Sequence, residues 1–251
     1  MSFASKTILV AGVGGGLGAA VVSLLASEGA HVIAVARTRK ALDPIAAHAQ
    51  KRNWNVDVET ADLHEPRTVD ELVGRVGKAG GLDGVSINIG HWLGGENLLH
   101  KMSEKEWTDA IRDNLDPIYL LGRATLPLLI ARGHGALVAV GAAPAIRTAG
   151  SASYQAAKGG LADLVPRLAR DYRLYGVRVN AVLPGSMSHE ASEELDPPAA
   201  DGPIALTDAT ATSPWEVGRA VRFLLSDESR WVTGALLVVD GGLSTGGAES
   251  K

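Results

Sequence analysis

The sequence predicts a doubly wound α/β fold, in which one parallel sheet of seven strands carries helices on both faces. Short apolar runs alternate with helix-length segments along the whole chain. The runs are continuously apolar, as is typical of strands that are buried on both faces. No linker-like stretch divides the 251 residues, and α/β domains of this length are common. We therefore expect a single domain over residues 1–251.

The predicted strands are short runs rich in valine, isoleucine and leucine. The first run begins a few residues from the N-terminus, and the third is weaker than the others. In chain order, the runs cover residues 7–11, 31–36, 56–61, 84–88, 136–140, 177–182 and 236–239.

Helix-length segments separate these strands, at residues 16–29, 38–51, 65–78, 103–131, 152–175 and 214–226. Strand–helix alternation implies right-handed crossovers and a doubly wound sheet. Ligands of such sheets bind outside the carboxyl ends of the strands. The residues that directly follow each strand are therefore the candidates for function.

Residues 186–212 depart from this alternation. No lysine or arginine lies between Arg178 and Arg219, and two proline-containing pairs punctuate an acidic stretch. Long excursions in compact domains are often active-site lids, although some are merely disordered. We expect a lid over the substrate site.

The composition excludes several classes of protein and site. The chain has no cysteine, which rules out disulfides and thiol catalysis. The formal net charge is −4 without a long run of one sign, so neither nucleic acid nor an anionic membrane is an expected partner. We expect no metal site. The N-terminal apolar run is too short for a signal peptide, which favours a cytoplasmic protein.

A glycine-rich loop follows the first strand and opens the first predicted helix. Its glycines allow the backbone to approach a pyrophosphate, and the helix N-terminus offers free N–H groups to the phosphates. An ordinary flexible turn is the alternative, but the strand–turn–helix context favours dinucleotide binding. The predicted binding residues are Gly12, Gly14, Gly15, Gly16, Leu17 and Gly18.

The end of the second strand indicates which dinucleotide is bound. An acidic residue there would bond the ribose 2′-hydroxyl of NAD, whereas an arginine accommodates the 2′-phosphate of NADP. The sequence has Arg37 and Thr38 at this point and no acid. A basic first turn on a surface helix is the alternative reading. We therefore favour NADP(H) over NAD(H), and we expect Asp62 and Leu63 to meet the adenine.

An ordered set of motifs resembles the short-chain dehydrogenase/reductase family over almost the full length. The family's glycine motif matches with Ala11 in place of threonine. The resemblance implies a Rossmann fold, a hydride-transferring enzyme and further cofactor contacts. The matching positions after the glycine loop are Asn88 and Gly90, Asn114, Tyr154 and Lys158, Pro184 and Gly185, Thr233-Gly234, and Val239-Asp240-Gly241-Gly242.

The spacing of Tyr154 and Lys158 explains the chemistry that the resemblance implies. Residues four apart share one face of a helix. A free tyrosine has a pKa near 10, and a nearby ammonium stabilises the tyrosinate and lowers that pKa. We expect Tyr154 to be the acid/base of alcohol–ketone interconversion. By resemblance, Lys158 also holds the nicotinamide ribose, and Asn114 supports a proton-relay water.

Gly141 is the departure from the family pattern. Family members usually carry a serine there, 13 residues before the tyrosine, which hydrogen-bonds the reacting oxygen. Loss of one such donor typically costs about 10²- to 10³-fold in rate. We expect Gly141→Ser to raise turnover. The remaining substrate-pocket candidates are His91, Trp92, Arg147, Met187 and His189, of which His91 is a substitute donor or a bystander.

Two other functions stay open because of Gly141. The chain could bind the cofactor while acting as a non-redox lyase or cyclase or as a nucleotide sensor, or it could be a structural subunit beside an active homologue. By resemblance, we expect a homodimer or homotetramer that acts on a small-molecule substrate. Five leucines, which could equally be core, are candidates for the interface: Leu120, Leu121, Leu126, Leu128 and Leu129.

Overall fold

A parallel seven-stranded sheet forms the centre of the computed structural model, which describes residues 3–14, 16–94, 98–187, 195–199 and 212–245. The strand order is β3-β2-β1-β4-β5-β6-β7, as expected for a doubly wound sheet. The strands are β1 (Thr7–Ala11), β2 (His31–Ala36), β3 (Val56–Thr60), β4 (Gly84–Ile87), β5 (Gly135–Val140), β6 (Val177–Pro184) and β7 (Leu236–Val239).

Helices cover both faces of the sheet, and each face has its own apolar core. Helices α1, α2 and α8 pack on one face, while α3, α5 and α7 pack on the other. In β1 the side chains of Ile8 and Val10 join the first core, whereas Leu9 and Ala11 join the second. The helices are α1 (Leu17–Ser27), α2 (Arg39–Arg52), α3 (Pro66–Lys78), α4 (Glu104–Asn114), α5 (Asp116–Arg132), α6 (Pro144–Ala149), α7 (Ala152–Tyr172) and α8 (Pro214–Leu225).

The helix expected over residues 103–131 is two helices. They meet at Leu115, and Pro117 lies in the first turn of α5. Pro117 has no N–H to donate to the Asp113 carbonyl, and its ring would clash with that carbonyl in a continuous helix, which explains the break. Helix α4 begins at Ser103, whose side chain forms a capping box with Glu106. The short helix α6 lies between β5 and α7 and was not predicted.

The leucines considered for an interface belong largely to the core of the chain itself. Leu120, Leu121, Leu126 and Leu129 are buried against the sheet, and Leu128 is partly buried on the same core. The core alternative is therefore correct for the four buried leucines, while Leu128 stays partly exposed.

The described part of the predicted lid is held against the body of the protein. Met187 and Thr212 form a bridge at its base. Further along, the Asp196 carboxylate lies 3.1 Å from His48 Nε2 and 2.9 Å from Arg52 Nε on α2. Most of the segment, including residues 188–194 and 200–211, lies outside the described residues, so the lid role stays a prediction. Within the described chain, no helix combines the length and apolarity that a bilayer span requires.

Candidate active site

The carboxyl ends of β1 and β4 open onto a cavity of about 460 Å³. The strand order reverses between these neighbours, which is where doubly wound sheets bind ligands. A second cavity of about 730 Å³ continues past the end of β2 and shares Gly12, Gly14 and the residues 88–91 with the first. The first cavity is lined by Gly12, Gly14, Gly16, Leu17, Gly18, Asn88, Ile89, Gly90, His91, Trp92, Val140, Gly141, Tyr154, Lys158, Met187 and Pro214.

The glycine loop is packed too tightly for side chains at two of its positions. Gly12 has φ +90°, and a Cβ atom there would lie 2.7 Å from the Asn88 carbonyl oxygen. A Cβ atom on Gly18 would lie 2.3 Å from the Gly12 carbonyl oxygen. A Cβ on Gly14, in contrast, would meet nothing within 4 Å. Side chains at Gly12 and Gly18 would therefore clash with the protein, whereas the space beside Gly14 in the cavity is free. Gly15 lies outside the described residues.

Asn88 presents an unpaired amide group at the junction of the two cavities. Its Oδ1 accepts a hydrogen bond of 2.9 Å from Ser86 Oγ, but its buried Nδ2 has no partner in the described structure. A buried donor without an acceptor costs free energy. The unpaired Nδ2 is therefore a fixed donor that an acceptor in the cavity would satisfy.

The second cavity brings the basic end of β2 close to the end of β3. Arg37 and Thr38 line it, and the Arg37 guanidinium makes no ion pair within the described chain. Ala61, Leu63 and His64 form the wall where Asp62 was expected.

Asp62 is engaged by the protein itself. Its Oδ1 accepts a 3.1 Å hydrogen bond from the His64 backbone N–H and lies 3.2 Å from His64 Nδ1. The backbone hydrogen bond from His64 is the main reason that the pKa of the Asp62 carboxyl is lowered. His64 and Asp113, which also lines this cavity, were not identified from the sequence because neither lies directly after a strand.

Lys158 and Asn114 meet beside Gly90, and Tyr154 lines the same cavity. Tyr154 and Lys158 lie on α7 and are 5% and 4% exposed. A Cβ atom on Gly90 would lie 2.5 Å from Lys158 Nζ and 3.0 Å from Asn114 Oδ1, so only glycine leaves room for both groups. Asn114 Oδ1 accepts a 3.0 Å hydrogen bond from the His91 backbone N–H. The structure thus brings the predicted catalytic residues together at one end of the first cavity.

Burial dominates the protonation of this pair in the protein alone. It raises the pKa of Tyr154 to about 12 and lowers the pKa of Lys158 to about 8. The expectation from spacing was a lowered tyrosine pKa. The shift has the opposite sign because removal from water disfavours both charged forms. At neutral pH, Tyr154 is therefore protonated and ready to donate.

Lys158→Met is expected to make the stability of the cofactor-free protein less dependent on pH. Between about pH 8 and the ordinary lysine pKa of 10.5, unfolded wild type binds more protons than folded wild type, so its free energy of unfolding rises with pH. Below about pH 8, Lys158 is protonated in both the folded and the unfolded protein, so the free-energy cost of burying its charge is fully present. The variant should be the more stable protein at pH 7, with the gap closing towards pH 10.

Urea unfolding from about pH 7 to about pH 10 measures this difference. The range ends there because Tyr154, whose pKa is raised, acts with the opposite sign above its ordinary value. Lys51→Met, at an exposed lysine, is the matched control and should leave the pH dependence unchanged. A constant gap between wild type and Lys158→Met would contradict the assigned burial effect.

Gly141 lies beneath the reacting end of the cavity, against the side chain of Leu183. A Cβ atom on Gly141 would lie 2.5 Å from Leu183 Cδ2 and 3.4 Å from Leu161 Cδ2. Leu183 itself is buried. Any side chain at Gly141 therefore competes with Leu183 for the same space. The expectation that Gly141→Ser raises turnover stays a prediction, and it requires the Leu183 side chain to move.

The other substrate-pocket candidates do not all line the first cavity. His91, Trp92 and Met187 line the first cavity. Arg147 does not line it in the described structure, since its guanidinium lies beside Gly159 of α7. His189 lies outside the described residues. At the end of β6, the Pro184 carbonyl accepts a 2.8 Å hydrogen bond from Ala143, and Gly185 packs against Asp240.

Comparison with known proteins identifies the family. A family model described as enoyl-(acyl carrier protein) reductase matches residues 12–244. A crystal structure from Burkholderia xenovorans, described as a short-chain dehydrogenase/reductase, superposes with a TM-score of 0.85 at 29% identity and covers 98% of this chain and 99% of that one. The chain belongs to the short-chain dehydrogenase/reductase family.

The short-chain dehydrogenase/reductase family is a family of oxidoreductases, and named relatives match this member along nearly its whole length. The 3-oxoacyl-(acyl carrier protein) reductase FabG of Escherichia coli strain K12 is 30% identical over 246 residues, which are 97% of this chain and 99% of the relative. The enzyme of the same name from Thermotoga maritima is also 30% identical, with the same coverage. The strand order of the sheet and the likeness to the Burkholderia xenovorans structure confirm the predicted fold class.

Proposed function

We propose that the chain is an NADP(H)-dependent oxidoreductase that interconverts a secondary alcohol and a ketone, with Tyr154 as the acid/base. The observation that carries this proposal is the presence of Tyr154 and Lys158 in one cavity that runs on to the glycine loop, with Asn114 directly behind Gly90 of its wall. A proton donor and a dinucleotide-sized groove in one continuous space are what such a reaction requires.

The residues of the groove fit a nicotinamide dinucleotide. The open side of Gly14 and the α1 N-terminus, which has no side-chain cap, leave backbone N–H groups for a pyrophosphate. Asn88 Nδ2 adds an unpaired donor. When bound, the dinucleotide supplies the hydride for reduction or accepts it in oxidation. Pro184 and Gly185 are proposed contacts at the carboxyl end of β6.

The protein's own residues supply and hold the proton. In reduction, the Tyr154 hydroxyl donates its proton to the carbonyl oxygen as the carbonyl carbon gains the hydride. The Lys158 ammonium stabilises the tyrosinate that remains. Asn114 holds the backbone of His91 and thereby the wall of the cavity. Burial raises the pKa of Tyr154 to about 12, so at neutral pH the hydroxyl carries the proton that ketone reduction requires.

The expected effect of Arg37→Ala is a selective loss of NADPH affinity. The Arg37 guanidinium lines the cavity at the end of β2, makes no ion pair within the described residues and is the proposed partner of the 2′-phosphate. A hydrogen bond to a charged group contributes about 1.5–3 kcal/mol, so the dissociation constant for NADPH should rise roughly 10- to 100-fold. NADH affinity should hardly change. Fluorescence titration with both nucleotides measures the two constants.

Arg67→Ala is the matched charge control for this titration. Arg67 is an exposed arginine on α3 that pairs with Glu71, and its loss should affect neither nucleotide. Equal weakening of NADPH and NADH binding by Arg37→Ala would contradict the preference for the phosphorylated cofactor.

Self-association through the β7 edge is part of the proposal. Leu236, Leu237 and Val238 are exposed at this end of the sheet, and Trp231 just before them is almost fully exposed. An uncovered apolar edge strand favours pairing with another chain. We infer a homodimer or homotetramer of a cytoplasmic enzyme.

The decisive test of the function is the oxidation of NADPH in the presence of a broad panel of ketones. Ketone-dependent loss of the reduced nicotinamide absorbance, with the alcohol identified as product, supports the proposal. Tight NADPH binding without turnover of any ketone would overturn it in favour of the second candidate, a cofactor-binding protein with a non-redox or sensing role. The filled space at Gly141 is the observation that favours this second candidate.

A further inference from the structure

We propose that Trp92 is the specificity-determining residue of this site and selects neutral ketones that carry a planar ring. This inference rests on the proposed function. The indole of Trp92 lines the reacting end of the cavity together with Tyr154 and Met187. Its ring centroid lies 4.9 Å from that of Tyr154, at an interplanar angle of 74°. A substrate in this cavity close to Tyr154 is therefore also close to the indole.

The backbone on both sides of Trp92 is held by hydrogen bonds. The His91 backbone N–H donates to Asn114 Oδ1 at 3.0 Å, and the Leu93 carbonyl accepts a 2.9 Å hydrogen bond from the Ser151 N–H. Trp92 is thus tied down on both sides, to α4 and to the start of α7.

Two glycines make room for the edge-to-face pair of rings. A Cβ atom on Gly150 would lie 2.5 Å from Tyr154 Cδ1 and 3.3 Å from Trp92 Cζ3. A Cβ on Gly94 would lie 2.9 Å from Trp92 Nε1. The local backbone is therefore fitted to this arrangement of the two aromatic side chains.

The rest of the reacting end favours an uncharged substrate. Val140, Gly141 and Met187 line it, and the leucine pair beneath Gly141 keeps its base apolar. In the lining that the structure describes, Lys158 is the only lysine or arginine, and it is buried among the proposed catalytic residues. The Arg147 guanidinium lies at Gly159 instead. An anionic group on the substrate would find no free cation here.

The exposed area of Trp92 provides the driving force for ring binding. The residue is 43% exposed, although its ring packs on Tyr154. Covering this surface with a planar ring removes apolar area from water and forms an offset or edge-to-face aromatic contact. A linear acyl chain buries less of the indole and forms no aromatic contact. The predicted order of substrates is therefore aryl ketone above linear ketone, with ketones that carry a charged group below both.

The test compares four substrates on wild type, Trp92→Ala, Trp92→Phe and Trp107→Ala. The substrates are an aryl methyl ketone, a linear ketone of equal carbon number, a linear 3-oxoacyl thioester and an ammonium-bearing ketone. Trp107 is the matched control because it is a 42% exposed tryptophan on α4 that does not line the cavity. Thermal unfolding verifies that each variant is folded.

We expect wild type to prefer the aryl ketone, and Trp92→Ala to lower its kcat/KM about tenfold, the size of a good aromatic contact. The loss should lie mainly in KM, the linear ketone should change little, and Trp92→Phe should keep most of the preference. Calorimetric binding of the aryl ketone to the NADP⁺-loaded protein should weaken in parallel. Trp107→Ala should behave as wild type.

Three results would overturn the inference while leaving the proposed function intact. One is a wild-type preference for the linear thioester or the ammonium ketone. Another is an aryl-to-linear ratio that Trp92→Ala leaves unchanged. The third is an equal loss for all substrates, which would assign Trp92 to the support of Tyr154 alone. Absence of turnover with every ketone would instead contradict the proposed function itself.

Discussion

Tyr154→Phe is expected to lower kcat for ketone reduction by roughly 10²- to 10⁴-fold, the usual contribution of a positioned acid. The variant removes the phenolic hydroxyl and keeps the ring that packs on Trp92. The cavity should therefore keep its shape, and NADPH affinity should hardly change. Steady-state kinetics on the best ketone, together with an NADPH titration, separates loss of chemistry from loss of binding.

Tyr119→Phe is the matched control for this variant. It makes the same chemical change at an exposed tyrosine on α5 and should retain full activity. If Tyr154→Phe kept wild-type turnover, the proton would have to come from another group. His91, which lines the same cavity, would then be the first residue to replace.

The second large effect on kcat for ketone reduction is expected from Gly141→Ser combined with Leu183→Val. Gly141→Ser alone places Cβ 2.5 Å from Leu183 Cδ2. Overpacking of this kind costs about 1–3 kcal/mol of stability, and we expect little gain in turnover. Leu183→Val removes the clashing methyl group and leaves an atom near the Leu183 Cγ position, which is 3.9 Å from the new Cβ. The double variant should therefore accommodate the hydroxyl.

With the hydroxyl accommodated, kcat for ketone reduction should rise about 10²- to 10³-fold over Leu183→Val alone, the typical value of one hydrogen-bond donor at a reacting oxygen. Urea unfolding and steady-state kinetics on all three variants complete a double-mutant cycle. Gly141→Ala with Leu183→Val tests whether the gain comes from the hydroxyl or from repacking. An unchanged kcat in a well-folded double variant would mean that the site does not use a donor at this position.

Continuous apolar runs made the sheet predictable. Because both faces are buried, strands such as 7–11 and 136–140 stand out without reference to tertiary structure. The helix break at Leu115 was harder to predict from the sequence, because Pro117 lies inside an otherwise unbroken helical pattern. Helix α6 is only one and a half turns long, and its residues carry no periodic pattern that distinguishes them from a loop.

The site was predictable where function depends on backbone and spacing. Gly18 is dictated by its contact with Gly12 of the same loop and Gly12 by its positive φ. The interval from Tyr154 to Lys158 places both on one helix face. The remainder depends on residues distant in sequence. Three contacts form only when the elements pack against each other. Leu183 lies against Gly141, His64 contacts the Asp62 carboxylate, and the Arg147 guanidinium lies beside Gly159.

The burial of Lys158 links ligand binding to proton exchange. With a pKa of about 8, the amine of the ligand-free protein is partly neutral in mildly alkaline buffer. A ligand that offers hydroxyl or phosphate acceptors to Nζ favours the ammonium form, so its association draws a proton from solution. The observed heat of binding then depends on the ionisation enthalpy of the buffer, and affinity weakens as the medium becomes more alkaline.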